Sequence, residues 1–453
     1  MPEIPCDGRE PGSNLEARVT RKLQRRILPF MMVLYFVSFL DRANVGFAAF
    51  SMNQALGLTP ALFGLGAGLF FAGYIAGQVP SNLILMRVGA RTWIARVVVV
   101  WGLVSMASAF AVGPRSFCTM RVLLGLAESG FFPGTLLYLS LWFPARQRAL
   151  AIAAFMAAAP LSTAIGSPIS GALMGMPRFA GLANWQWLYI IEGLPAILLG
   201  VLTLKVLTDA PEQAAWLDAR ERDWLVETLR AERATGTSHR SDIEAVWAVL
   251  RDVRVLVLAL VYSGTSAALY AIGFWAPLLI RQLGYSALNV GWLNALPGVV
   301  AVVAMLAWAR SSDRTQERIV HAAIPCMVGC VGLVWAGYAH SALAVILALA
   351  LASFGVNAAK GPLWAVPSLF LSGASAGTGI AVINSLGNVG GFVGPELIGW
   401  TKDRWGSYAG GLDVVGAMMA LSAVLLLVLR GRMREAAIRE RGLESRDYGT
   451  AGL

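Results

Sequence analysis

Residues 27–50 read Ile-Leu-Pro-Phe-Met-Met-Val-Leu-Tyr-Phe-Val-Ser-Phe-Leu-Asp-Arg-Ala-Asn-Val-Gly-Phe-Ala-Ala-Phe, and apolar side chains fill most of this stretch. A helix that crosses a bilayer needs about 20 mostly apolar residues, because lipid cannot satisfy backbone N–H and C=O groups. The four residues 21, 22, 25 and 26 are basic, which is typical of the cytoplasmic flank of such a helix. The stretch therefore predicts a membrane-spanning helix that carries two charged residues, Asp41 and Arg42, near its middle.

Further apolar runs of similar length follow, and together they predict twelve spans. The predicted spans cover about 27–50, 60–86, 92–112, 114–143, 149–176, 185–207, 253–281, 286–309, 319–339, 342–371, 375–400 and 409–430. An Arg-x-x-x-Arg pair follows both the second and the eighth run, and glycine–proline motifs lie in the fifth and the eleventh. The predicted fold class is an all-α integral membrane protein with two six-helix pseudo-repeats and a site between them at mid-membrane.

The predicted domain organisation follows from these runs. It consists of a cytoplasmic N-terminal tail at 1–26, a six-helix bundle at 27–208, a cytoplasmic linker with an amphipathic helix at 209–252, a second six-helix bundle at 253–430 and a cytoplasmic C-terminal tail at 431–453. Most of the 36 Lys and Arg residues then lie on the cytoplasmic side, in agreement with the positive-inside rule. We therefore expect a multi-pass protein of the inner membrane with both termini in the cytoplasm.

The overall composition excludes several classes of protein. Of the 453 residues, 57% are hydrophobic and 14% are charged, and the mean hydropathy is +0.64. Soluble proteins carry about 25% charged residues, so a soluble enzyme, a disordered scaffold and a nucleic-acid-binding module are excluded despite a net charge of +10. The four cysteines and three histidines show no spacing typical of a metal site or a disulfide framework. We expect no cofactor and no nucleic-acid partner.

The strongest candidates are four charged residues well inside the first and fourth predicted spans, because a charge at the bilayer centre costs about 3 to 10 kcal/mol. Asp41 and Arg42 are in the first span, and Arg121 and Glu128 are in the fourth. Seven residues are close to two helical turns, so Arg121 and Glu128 share one face of their helix. One interpretation is a buried ion-pair lock without further function. The other is a working site, because guanidinium groups bind carboxylates in a bidentate manner and a carboxyl group removed from water can bind and release a proton.

Other polar residues at span depth are weaker candidates. Lys360 in the tenth span could contact substrate directly or extend toward the cytoplasmic face. Glu192 and Glu396 lie nearer the outer ends of their spans, where a solvated or helix-end role is expected. The remaining candidates are hydrogen-bonding groups that could equally serve helix packing: Tyr74, Trp364, Asn384 and Asn388.

The chain resembles the major facilitator superfamily, and more narrowly the anion:cation symporter family in its bacterial organic-acid branch. That branch includes tartrate, sugar-acid, phthalate and hydroxyphenylacetate permeases. The resemblance extends from about residue 20 to 430. It rests on Asp41-Arg-Ala-Asn-Val-Gly, the segment 121–134, Tyr138-x-x-x-Trp142-Phe-Pro, Trp187-Leu-Tyr-Ile-Ile-Glu-Gly-Leu-Pro, Asp209-Ala-Pro-Glu-Gln-Ala-Ala-Trp-Leu, Gly361-Pro-Leu-Trp-Ala-Val-Pro and the segment 384–395.

The resemblance implies an alternating-access fold and proton-coupled uptake of an organic anion. Asp41 and Glu128 match the family's protonatable acids, and Arg42 and Arg121 match its charge-balancing and substrate-binding arginines. The residues that fall where related permeases contact substrate are Tyr74, Trp364 and Asn384. Lys360 has no counterpart to carry over, and we expect it to tune specificity toward a second acidic group. Met86 stands where the superfamily's usual loop motif has Asp, which puts a gating salt bridge at this loop in doubt.

The leading functional hypothesis is a secondary active transporter that imports a small organic acid anion, such as a sugar acid, a tartrate-like acid or an aromatic carboxylate, by proton symport. Two alternatives remain open: a proton/drug antiporter of the same architecture, and a transporter-like receptor that binds an organic anion without moving it. An enzyme is not expected, because no nucleophile–base arrangement is present in the sequence. The expected partners are the organic anion, protons as the coupling ion and the lipid bilayer, and the expected state is a monomer.

Overall fold

The computed structural model describes residues 11–235, 247, 249–371 and 373–450, and these residues form an all-helical bundle with one isolated β-bridge between Phe179 and Leu182. A polar helix, Pro11–Arg26, precedes the bundle. The first six spans form the N-terminal half: span 1 Leu28–Leu56, span 2 Pro60–Val88, span 3 Ala90–Ser108, span 4 Pro114–Trp142, span 5 Ala145–Met174 and span 6 Asn184–Val206. The predicted all-α class is thereby confirmed.

The C-terminal half repeats the arrangement after the linker. Its spans are span 7 Val253–Arg281, span 8 Ala287–Thr315, span 9 Ile319–Tyr338, span 10 Ala342–Ala365, span 11 with helices Gly373–Gly387 and Val389–Trp405, and span 12 Ala409–Thr450. Eleven segments of the described chain are long and apolar enough to cross a membrane, and span 11 is not among them. Its two helices have 15 and 17 residues and are rich in glycine, so neither is a crossing on its own. Span 11 takes its place in the bundle by packing against spans 2 and 7.

Two spans of the N-terminal half are broken near the middle of the bundle. Span 4 consists of helices Pro114–Glu128 and Phe131–Trp142, and span 5 of Ala145–Met156 and Ala158–Met174. Pro133 and Pro160 explain the breaks, because proline has no N–H for the carbonyl four residues earlier and its ring clashes with that carbonyl. The predicted continuous runs 114–143 and 149–176 are therefore bent. The break in span 4 places Glu128 at the end of a helix.

Contacts with the N-terminal half hold the start of the linker in place. The carboxylate of Glu221 is buried and pairs with Lys22 Nζ at 2.6 Å and with Arg18 Nε at 3.1 Å. The Trp216 ring stacks on Trp142 with 5.5 Å between centroids. The backbone N–H of Glu221 donates to Asp218 at the start of helix Ala219–Thr235, and this hydrogen bond lowers the pKa of Asp218. Residues 236–246 and 248 of the predicted linker lie outside the described residues.

The two halves meet through spans 1 and 7, spans 2 and 11, and spans 5 and 8. We call the end of the bundle that carries the linker the linker end, and the opposite end the far end. Near the far end, spans 5 and 8 approach so closely that a Cβ atom on Gly171 would lie 2.8 Å from the Cα atom of Gly291. Real Cβ atoms do not approach that closely, so only glycine permits this contact. The contact closes the far end between these two spans.

We expect Gly171→Val to hold spans 5 and 8 apart, because the added side chain overlaps the backbone of Gly291. Spin labels at exposed Arg178 and Gln282, one in each half, report this separation in a variant without the native cysteines. The distance distribution should move to longer values than in the parent. Gly113→Ala is the matched control at the same end, because a Cβ there meets no atom within 4 Å. A parent-like distribution for Gly171→Val would show that the contact does not set the closure.

Candidate functional site

A buried ion pair connects spans 1 and 4 in the middle of the N-terminal half. Arg42 Nε donates to Glu128 Oε2 at 2.7 Å, and the two side chains are 9% and 0% exposed. Arg42 Nη1 also donates to the hydroxyl of Tyr270 at 2.9 Å, and Tyr270 belongs to span 7 of the other half. The guanidinium group of Arg42 therefore connects a carboxylate of one half with a hydroxyl of the other.

Aromatic rings surround the charged end of Arg42. The rings of Phe39, Phe70 and Tyr74 have centroids 5.3, 5.1 and 5.2 Å from its Cζ atom. A guanidinium over an aromatic face gains electrostatic attraction when water is excluded, on the order of 2 kcal/mol. The rings thus keep Arg42 in place and reduce the water available to its ion pair with Glu128.

Arg121 is the second arginine of the site and is 2% exposed. Its three side-chain nitrogens have no hydrogen-bond partner among the described residues. The Cζ atom lies 5.0 Å from the Phe70 centroid and 5.9 Å from that of Phe274, so both arginines contact the Phe70 ring. A buried guanidinium with unused donors is costly, because its N–H groups lose water without gaining an acceptor. An acceptor that binds here would recover that energy.

Asp41, next to Arg42 in the chain, is buried and has a different set of partners. Its Oδ1 atom accepts hydrogen bonds from the hydroxyl of Ser105 and from Asn44 Nδ2, the latter at 3.3 Å. Its Oδ2 atom has no partner within the part of the chain that the structure describes. Arg121 and Glu128 both act electrostatically on Asp41. The two acids and the two arginines therefore form one interacting group.

A cavity lies between the halves beside this group. Spans 1 and 5 form its wall on one side, and spans 7, 8 and 10 form the other. Lys360 Nζ donates to Asn357 Oδ1 at 3.2 Å on this wall. Residues with polar side chains on the wall include Arg42, Tyr270, Asn294, Ser353, Asn357 and Lys360. One cation from each half, Arg42 and Lys360, thus borders the same space.

The structure brings some of the residues selected from the sequence together and leaves others apart. Asp41, Arg42, Tyr74, Arg121 and Glu128 form the central group. Lys360 reaches the cavity from the other half.

The three selected residues Trp364, Asn384 and Asn388 do not line this cavity, and Asn388 is buried. Trp364 packs edge-on against Tyr262 with 4.9 Å between ring centroids, and its Nε1 atom has no partner among the described residues. Asn384 is buried in span 11.

Sequence reasoning missed three contributors to the site. No sequence pattern distinguishes Tyr270, since it is one of several residues with a hydroxyl group in a long apolar run. Its pairing with Arg42 depends on how the halves meet. In the sequence, Ser105 is indistinguishable from a serine that serves helix packing, and only the structure shows that it is hydrogen-bonded to Asp41. Asn294 binds Ser167 Oγ at 2.9 Å across the interface between the halves. All three depend on contacts between distant segments, which one sequence does not reveal.

The expectation that Glu192 is solvated is wrong. Glu192 is 2% exposed, and Ser170 Oγ donates to its Oε1 atom at 2.6 Å. The reason is its position on the inward face of span 6, which packs against spans 1, 3 and 5. Nearness to a helix end in the sequence does not show which face of the helix is covered. Glu396, which carried the same expectation, is half-buried.

Comparisons with known proteins agree with this architecture. Residues 31–395 match the family described as Major Facilitator Superfamily. The chain is 56% identical over 418 residues to a "Putative tartrate transporter" from Agrobacterium vitis, covering 92% of each protein. It is 38% identical to a "Quinolone resistance transporter" from Acinetobacter baumannii, covering 93% of this chain and 96% of that one.

Among solved structures, a bacterial homologue of the human lysosomal transporter Spinster, in an inward-facing and occupied conformation, superposes with a TM-score of 0.71. Its sequence identity is 14%, and the match covers 89% of this chain and 96% of that one, so the likeness concerns the fold. The paired six-helix halves, the cavity between them and the family match over most of the chain agree, and the protein belongs to the Major Facilitator Superfamily of membrane transporters and is not an enzyme.

Proposed function

We propose that this protein imports a small organic acid anion together with protons, by alternating access of the cavity between its two halves. The observation that carries the proposal is Arg121, a buried guanidinium whose donors lack an acceptor, placed beside the Arg42–Glu128 ion pair. A carboxylate is the acceptor that suits such a group best, because its two oxygens match the guanidinium fork. The 56% identical relative named as a tartrate transporter supports an acid of the tartrate or sugar-acid class.

The cavity wall suits an acid with more than one polar group. Arg42 and Lys360 border it from different halves, so one carboxylate of a dicarboxylic acid can bind at Arg42, close to Arg121, and the other at Lys360. The amides of Asn294 and Asn357 are suited to hydroxyl groups, because an amide both donates and accepts hydrogen bonds. A ligand held by both halves would also draw them together, which is the step that alternating access requires.

Arg121 lies behind the cavity wall, since Phe274 lines the cavity and is also in contact with Arg121. We infer that the Phe274 ring turns aside when the substrate carboxylate binds. The interaction energy of a bidentate carboxylate would offset the lost contact between ring and guanidinium. Substrate would then complete the hydrogen bonds that Arg121 lacks.

Proton coupling follows from the shared use of Arg42. A substrate carboxylate that binds Arg42 competes with Glu128 for the same guanidinium. A buried carboxylate that loses its cation is strongly disfavoured, so Glu128 then binds a proton. Anion and proton thus favour each other's binding, as symport requires. Asp41, one residue from Arg42, provides the second protonatable group in this proposal.

The remaining expectations are proposed on the same basis. An inward proton gradient across the inner membrane drives accumulation, and both termini lie in the cytoplasm, because the basic residues concentrate at the linker end. A monomer is proposed, because the two halves of one chain supply both walls of the cavity. No cofactor besides the proton is required by this mechanism.

Arg121→Ala should weaken binding of the substrate acid by roughly 30- to 150-fold, because two hydrogen bonds to a charged donor contribute on the order of 2–3 kcal/mol. A thermal-shift screen of aliphatic, sugar and aromatic acids identifies the ligand, and calorimetry then gives Kd. Arg115→Ala is the matched control, since Arg115 lies on the same helix and is exposed. Unchanged affinity in Arg121→Ala would refute its role as the carboxylate-binding group.

Glu128→Gln should abolish proton-driven accumulation in proteoliposomes while exchange of external for internal substrate continues. Glutamine keeps an oxygen that accepts from Arg42 but cannot release a proton. Uptake under an inward proton gradient and counterflow without one are measured on the same preparation. Accumulation above equilibrium by Glu128→Gln would contradict the coupling. Absence of counterflow in the unmodified protein would instead favour a receptor that binds without transport.

A proton/drug antiporter is the second candidate, and the 38% identical relative named as a quinolone resistance transporter favours it. Export of a drug predicts that expression in a susceptible bacterium raises resistance. It also predicts that resistance tolerates substitution of Arg42 and Arg121 when the drug has no carboxylate. Uptake of a tartrate-class acid that depends on both arginines, without any gain of resistance, excludes this candidate.

A further inference from the structure

Glu192 is a buried acid that the mechanism above does not use. Its Oε1 atom accepts from Ser170 Oγ at 2.6 Å, and its Oε2 atom has no partner among the residues that the structure describes. No Lys, Arg or His of the described chain forms an ion pair with it. An isolated carboxylate in such surroundings is much less favourable than the neutral acid, because neither water nor a cation compensates its charge.

The groups that face Glu192 come from each span packed against span 6. Span 5 contributes the Ser170 hydroxyl, and span 1 contributes Asp41, which acts on Glu192 as a like charge. Span 3 contributes the close contact of Met106 with Gly193 and no titratable side chain at this level. Tyr189, one turn earlier on span 6, interacts electrostatically with both Asp41 and Glu192. Arg121 acts electrostatically on Tyr189 and Asp41, whereas Glu192 itself has the hydroxyl of Ser170 and the like charge of Asp41 acting on it.

Ser170 connects this acid to the closure of the far end. It immediately precedes Gly171, whose backbone lies against Gly291 of span 8. The carboxyl group of Glu192 is thus hydrogen-bonded to the segment of span 5 that seals the two halves together. Movement of span 5 away from span 8 would alter both the hydrogen bond and the covering of Glu192.

We propose that Glu192 is a proton-binding site in addition to Glu128 and Asp41, and that the far end closes when Glu192 carries its proton and opens more readily when the proton is lost. The physical basis is linkage. The closed state buries Glu192 without a cation and so favours the protonated acid, whereas an opened state admits water that stabilises the carboxylate. Raising the pH therefore shifts the population toward the open far end. This goes beyond the proposed substrate and applies to the protein without any ligand.

Spin labels at Arg178 and Gln282 in the cysteine-free protein test the proposal by their distance distribution across a pH series, without substrate. The parent should shift toward longer distances as the pH rises. Glu192→Gln, a permanent mimic of the neutral acid, should lose this shift in large part and stay closed at alkaline pH. Glu192→Asp keeps an ionisable carboxyl group and should retain the shift. Glu396→Gln is the matched control, since Glu396 is a half-buried acid in span 11 near the same end.

Agreement of Glu192→Gln with the parent at acidic pH verifies that the variant is folded and closed. The proposal would be overturned if the distance distributions of Glu192→Gln changed with pH as those of the parent do. It would also be overturned if Glu396→Gln lost the pH-dependent shift to the same extent as Glu192→Gln. Because no substrate is present, this outcome is independent of whether the transported molecule is an organic acid. The experiments that test the proposed function are therefore separate from this one.

Discussion

The Arg42–Glu128 ion pair, with 2.7 Å between Nε and Oε2 inside the bundle, is the interaction on which the rest of the structure depends. Both groups were removed from water, so their mutual attraction must offset a large desolvation cost. The surroundings support this pair: three aromatic rings cover the guanidinium, and the break after Glu128 places its carboxyl group at a helix end. The hydrogen bond to Tyr270 then extends the pair across the two halves. A change in the pair therefore also affects the contact between the two halves.

The site is asymmetric in a way that suits transport. Arg42 forms an ion pair with Glu128, whereas Arg121 has no hydrogen-bond partner in the described part of the chain. The charge of Arg42 is thus compensated, whereas the donors of Arg121 are available to a ligand. An incoming carboxylate can therefore redistribute the ion pairs without creating an unpaired buried charge. The glycine contact between spans 5 and 8 gives the same site a closed far end, and Glu192 lies beside that contact. Charge compensation and closure are therefore adjacent in the fold.

The sequence was sufficient to predict the fold class and to single out the buried charged residues that the structure brings together. Hydropathy predicted the spans, and the rarity of charge inside a membrane singled out Asp41, Arg42, Arg121 and Glu128. The same reasoning was wrong about Glu192, because sequence position does not tell which helix face is covered. It could not find Tyr270 or Ser105, whose roles arise from the packing of distant spans. Pro133 and Pro160 account for the breaks in spans 4 and 5, but the position of Glu128 at a helix end required the three-dimensional arrangement.

Proton uptake during substrate binding tests the central claim, the shared use of Arg42 by Glu128 and the substrate, most directly. The purified protein in weakly buffered solution is titrated with tartrate, or with the acid that gives the largest thermal shift, while a pH indicator follows the protons. The coupling predicts net proton uptake with each bound anion, and a smaller uptake in Glu128→Gln at comparable occupancy. Saturable anion binding by the unmodified protein without net proton uptake would contradict it.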